Sequence, residues 1–301
     1  MSIDVLQTKI RKMKSPLMVC LDPTAELLPP QLMEEPTLEG LAEGYRRFCF
    51  GLLEELQDVV PAVKIQSACF FALGAAGIAA MQQVLQEARR LGYYVVLELM
   101  RSDVAHIAEL TAQAVFSGIE VGEERVLPYP CDGLVIGAYT GSDGVKPYLA
   151  PCKEGGKSLF LLVKTSNKSS REVQNLLSGD RVIFTAMADL AMRWTEQNFG
   201  RFGYADVAIT ASATDADALR RLREKYDRLF LLVTGYGAQG GNGKNAQYAF
   251  DRMGYGAVVA AGRSILGAWK KLDPEGGDYR TSARKAAEKM KKDILNYVVI
   301  V

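Results

Sequence analysis

YYVVLELMRSDV, residues 93–104, is an apolar run that stops abruptly and then delivers charged side chains. Tyr94 to Leu97 suits a strand buried on both faces, with Glu98, Met100, Arg101 and Asp103 crowding its far end. In a barrel or open sheet of parallel strands, that carboxyl end is where ligands sit. The plain structural alternative is a strand-end salt bridge between Arg101 and its acidic neighbours, with Asp103 capping the next helix.

Working outward, the same unit recurs. Short apolar runs at 17–21, 60–65, 134–136, 159–163, 207–209, 229–233 and 257–260 alternate with segments of helical spacing, the clearest at 3–13, 38–56, 74–91, 104–116, 182–196 and 216–225. With 93–97 this makes eight buried strands, each followed by a helix, and no shift in composition marks a linker. Alternating units imply a parallel sheet, and eight imply closure into a single-domain (β/α)8 TIM barrel spanning 1–301; an open doubly wound sheet is the rival. Residues 117–130 read as an irregular acidic insertion, and 279–301 as a C-terminal helix and an apolar tail docked on the barrel or on a partner subunit.

The totals exclude several classes of function. Thirty-six basic against thirty-five acidic residues leave a net charge of +1 with no basic block, so neither nucleic acid nor an anionic membrane surface is an expected partner. Five dispersed cysteines and no CxxC pair fit reduced thiols and a cytoplasmic protein. His106 is the single histidine, which argues against a zinc site or a serine–histidine triad; it reads as a capping or surface residue. No signal-peptide core is present, and no run approaches the ~20 apolar residues that span a bilayer.

One stretch points to an anion. TGYGAQGGN, residues 234–242, follows the seventh strand, where glycines let backbone N–H groups turn toward a phosphate and a helix starting near Asn245 would aim its positive end at the same point. After the eighth strand, Arg263 opens another helix. The loops after strands 7 and 8 are the usual phosphate cradle of such a barrel. The expectation is a phosphate held by Gln239, the Gly240 or Gly241 amides, and Arg263; a mobile glycine loop is the plain alternative.

Several stretches together resemble the second type of orotidine 5′-phosphate decarboxylase. They are CLDP (20–23), VKIQ (63–66) with GAAG (74–77), MRSD (100–103), YTGSDGVKP (139–147), LVKTSN (162–167), TGYGAQGG (234–241) and GRSI (262–265), in the family's order from about residue 3 to 272. The resemblance implies a TIM barrel and homodimer that converts orotidine monophosphate to UMP without metal or cofactor. By position, Asp22 and Lys64 would contact the ribose, Ser166 the pyrimidine, Gln239 both phosphate and base, and Arg263 the phosphate. Lys64, Glu98 and Asp103 would be the catalytic charges, with Asp103 reaching the partner's site.

The departures fall where the chemistry should be. The family pattern Asp-x-Lys-Arg-x-Asp is here Glu98, Leu99, Met100, Arg101, Ser102, Asp103, so the lysine that would protonate C6 is methionine. Ile65, Phe71, Ile107, Gly137-Ala138 and Thr234 also depart from the family. Three readings follow: a nucleotide-phosphate binder whose decarboxylation is weak or lost, an active decarboxylase with a rearranged site, or a metal-assisted enzyme on another sugar or nucleotide phosphate using Glu98 and Asp103.

Overall fold

Apolar runs without alternation require cover on both faces, and every residue of five barrel strands is buried: β1 (Leu17–Leu21), β3 (Tyr94–Glu98), β4 (Gly133–Gly137), β6 (Val207–Ser212) and β8 (Ala257–Ala261). With β2 (Ala62–Gln66), β5 (Ser158–Leu162) and β7 (Leu231–Thr234) they form a closed parallel barrel in chain order, β1 pairing with both β2 and β8. The fold is therefore the (β/α)8 barrel expected from the pattern, and the open sheet is ruled out. This computed structural model describes residues 1–99 and 101–301.

The outer layer is built from α1 (Ser2–Met13), α2 (Leu38–Leu56), α3 (Gly74–Arg90), α4 (Ala105–Ala112), α5 (Lys146–Gly155), α6 (Ile183–Trp194), α7 (Ala216–Lys225) and α8 (Tyr279–Leu295). Side-chain caps start three of them: Thr37 accepts from the Gly40 amide, Asp215 from Ala218 and Asp278 from Thr281. The segment 117–130 contains a short antiparallel hairpin, Ile119–Val121 with Glu124–Val126, instead of irregular chain. Three-residue strands leave too little alternation for the sequence to show them, and 127–130 has no regular structure.

Helix α1 lies across the amino-terminal mouth. Its Ile3 amide donates to Asp206 just before β6 (2.9 Å), Ser2 bonds the Tyr94 hydroxyl at the start of β3 (2.8 Å), and Gln7 accepts from the Gly256 amide before β8 (3.1 Å). The C-terminal tail docks on this same end of its own barrel: Lys14 donates to the Ile300 carbonyl (2.8 Å) and Arg11 to that of Val301 (3.0 Å), with Val298 and Ile300 buried. One end of the barrel is thus sealed. The carboxyl end is left for a ligand.

Candidate functional site

Strand register determines which side chains reach the open end. Cys20 pairs with Lys64, Lys64 with Val96, and Gln66 with Glu98. Because side chains alternate along a strand, Cys20 and Asp22 from β1 and its exit, Lys64 and Gln66 from β2, and Glu98 from β3 all face inward. They line a cavity of about 200 Å³ together with Ser166, Thr210, Thr234, Gln239 and Arg263. Asp22, Lys64, Glu98, Ser166, Gln239 and Arg263, far apart in the chain, therefore meet at one place. Gln66, Thr165 and Thr210 were not anticipated as site residues; two-residue spacing from Lys64 would have found Gln66.

Lys64 and Glu98 are both buried and form an ion pair, and Ser67 donates to the Glu98 carbonyl at 2.8 Å, holding the strand end. Burial pushes the Asp22 carboxyl up from 3.8 to about 6, against the pull of Lys64, its own backbone amide and Arg263. Its Oδ1 is buried without a hydrogen-bond partner among the described residues. Gly262 allows this packing: a Cβ there would collide with the Asp22 carboxylate. Burial likewise raises the Cys20 thiol to about 11, with Lys64 opposing, so it stays a neutral wall residue at pH 7.

At the phosphate end, the Arg263 and Gln239 side chains face the cavity, and Arg263 has no ion-pair partner among the described residues. The glycine loop departs from expectation. The Gly240 amide donates to the Gly237 carbonyl (2.9 Å) and the Gly241 amide to that of Gly235 (3.0 Å), so both are used within the loop and neither residue lines the cavity. The helix after the loop spans only Gly243–Ala246, and the Gly243 amide donates to the Asp293 carboxylate on α8 (2.7 Å). Asp293, which also bonds the Tyr236 hydroxyl, takes the place that an anion was expected to fill. Gly235, at φ 77°, is needed for both reasons: its backbone is left-handed, and a Cβ would press on Ser166 at 2.8 Å.

Asp103 stands apart from the cavity. Arg101 grips it through two bonds (2.6 and 3.1 Å), and the cap position of α4 is Val104, without a side-chain cap, so the salt bridge expected there exists while the capping role does not. Glu98 and Asp103 each face a cation of their own chain. Gly137 admits the passing segment, since a side chain there would run into Ser102. His106 is exposed on α4. Met100, the position at which the family resemblance implies a lysine, lies outside the described residues; a thioether carries neither charge nor an exchangeable proton.

Comparison with known proteins adds a family. The one described as Orotidine 5′-phosphate decarboxylase / HUMPS family matches residues 15–273. A protein named orotidine 5′-phosphate decarboxylase from Rhodopirellula baltica is 32% identical over 269 residues, covering 88% of each chain. One of the same name from Caldicellulosiruptor saccharolyticus is 28% identical over 297 residues, 97% of each chain. Among solved structures, Leishmania donovani OMP decarboxylase superimposes with a TM-score of 0.74 at 26% identity, covering 98% of this chain and 99% of that one.

Proposed function

The chain belongs to the orotidine 5′-phosphate decarboxylase / HUMPS family, and from that premise we propose that it binds a pyrimidine nucleoside 5′-phosphate of the orotidylate or uridylate kind while its inherited decarboxylation is weak or lost. The observation that carries the reading is the convergence of Asp22, Lys64, Ser166, Gln239 and Arg263 on one cavity. Arg263, a planar guanidinium without an ion-pair partner among the described residues, suits a phosphate. The unpartnered Oδ1 of Asp22 suits a sugar hydroxyl, because a buried acceptor without a donor costs about 1–3 kcal/mol that a ligand can relieve. Ser166 is then left to meet the base, and Gln239 both base and phosphate.

The chemistry is another matter. Breaking the C6–carboxylate bond leaves an electron pair on carbon that needs a nearby cation and then a proton. Loss of a general acid costs on the order of 10²–10⁴ in rate, and loss of the adjacent charge roughly 3 kcal/mol in a dry site. Arg101 is no substitute, since guanidinium does not release its proton near neutrality and this one is bound to Asp103. Without a lysine at position 100, two carboxylates, Asp22 and Glu98, share one ammonium, Lys64, in the cavity, and Arg263 is committed to the phosphate. A ligand carrying a carboxylate there is repelled, and the unsubstituted base of UMP is favoured over orotidylate.

A homodimer completes the proposal. Phe71, Val104, Ile107 and Leu110 are exposed at 45, 64, 37 and 51%, and Phe71, Ile107 and Leu110 border a hollow of about 330 Å³ lined by Met81 and Leu99. Such a contiguous apolar face is suited to a second copy. It adjoins Asp103, whose carboxylate would lie near the partner's site. Five free cysteines, four of them buried, accord with a reducing, cytoplasmic setting, and no helix among the described residues is long and apolar enough to cross a membrane.

Thermal unfolding with added nucleotides tests the reading. UMP at about 100 times its dissociation constant should add roughly 2.7 kcal/mol of stability, with a smaller effect from orotidylate at equal concentration. No shift with either nucleotide would refute it.

A further inference from the structure

Beyond β5 the chain forms a loop, residues 165–182, whose root is a buried cation. Lys164 is 1% exposed and turned away from the main cavity; its ammonium donates to Asn175 Oδ1 at 2.7 Å and Ser170 Oγ at 3.3 Å, with the Asp215 carboxylate at 4.0 Å. Burial lowers its pKa, with Asp215 opposing. These contacts anchor the loop, as does Gln174, which bonds the amide and hydroxyl of Thr165 (3.0 and 2.8 Å).

The anchored loop encloses a second cavity of about 420 Å³. Thr165, Ser166 and Gln239 belong to its lining and to that of the main cavity, so the two adjoin at the residue expected to touch the first phosphate. Its charge is lopsided: Lys164, Lys168 and Arg171 face the single carboxylate of Asp215. Lys168 and Arg171 are exposed and, among the described residues, unpaired. Folding does not need them there, because Lys164 and Gln174 already hold the loop.

We infer that this chamber receives a second anionic group attached to the ligand's first phosphate, so that the cleft holds a nucleoside 5′-diphosphate more tightly than the monophosphate. The first phosphate stays with Arg263 and Gln239. The second passes Gln239 and meets Lys168 and Arg171, long side chains that can close on it, in the positive field of a lysine that cannot move away. This rests on the nucleotide-binding reading above.

The test is calorimetric titration of the full-length protein with uridine 5′-monophosphate and 5′-diphosphate at low ionic strength, with divalent metals chelated. The diphosphate should bind about tenfold more tightly or better, the size of one charge-assisted hydrogen bond. The double variant Lys168→Ala, Arg171→Ala should lose that advantage while its monophosphate affinity stays within about twofold. A diphosphate bound no better than the monophosphate overturns the inference and leaves the nucleotide reading intact, as does a variant that weakens both ligands equally. If neither nucleotide binds, the reading fails and the chamber with it.

Discussion

Replacing Asp22 with asparagine should stabilise the protein at neutral pH, and the gain should vanish in acid. The carboxyl ionises near 6 in the fold against 3.8 in the reference state, because burial penalises its charge more than Lys64 and Arg263 relieve it. Below about pH 4 both states hold the proton and the group costs nothing. Between about pH 4 and 6 the unfolded chain has lost a proton that the folded protein still holds, so stability falls across that window and levels off above it. The difference of about 2 pKa units corresponds to roughly 3 kcal/mol above pH 7. The asparagine side chain cannot ionise, and its amide occupies the same space against Gly262. Urea unfolding of both proteins from pH 4 to 8 should give curves that coincide near pH 4 and separate by up to about 3 kcal/mol at pH 8. Parallel curves across the range would refute the claim that burial of this charge strains the site.

Three other outcomes follow from the same geometry. On the proposed function, Met100→Lys should raise orotidylate turnover by about 10²–10⁴ when assayed beside the native protein, because it supplies a general acid at that position; an unchanged rate would mean that the rest of the site is also altered. Arg263→Ala should weaken UMP binding by about tenfold to hundredfold, as expected for a lost charge-assisted contact, read by titration calorimetry; an unchanged affinity would mean that another group holds the phosphate. Joint replacement of the exposed Phe71 and Ile107 by aspartate should leave a folded monomer in analytical ultracentrifugation, whereas a persistent dimer would place the interface elsewhere.

The barrel was legible because each strand is an apolar run with nothing to alternate, and Glu98 stood out as a charge ending such a run; Asp22 and Lys64 were placed by the family resemblance, and they line the same cavity as Glu98. What escaped the sequence depends on contacts distant along the chain. The Gly240 and Gly241 amides looked available until the loop was seen to close on itself, and the Gly243 amide was taken by Asp293, 50 residues away. Closer in the chain, Asp103 was read both as a partner of Arg101 and as a helix cap, and only the first holds: Arg101 captures its carboxylate and the cap position is Val104. Lys164 stood out only as part of the stretch LVKTSN, and its burial against Asn175 and Asp215 depends on how the loop after β5 folds back.

The central claim is that an intact nucleotide cleft has lost its proton donor. It is tested most directly by following orotidylate absorbance with the unmodified protein under conditions where UMP binding has been measured on the same preparation. The expected result is saturable UMP binding with orotidylate consumed at least about a hundredfold more slowly, on the order of the loss of a general acid, than by an ordinary member of the family. Turnover equal to such a member would contradict the claim.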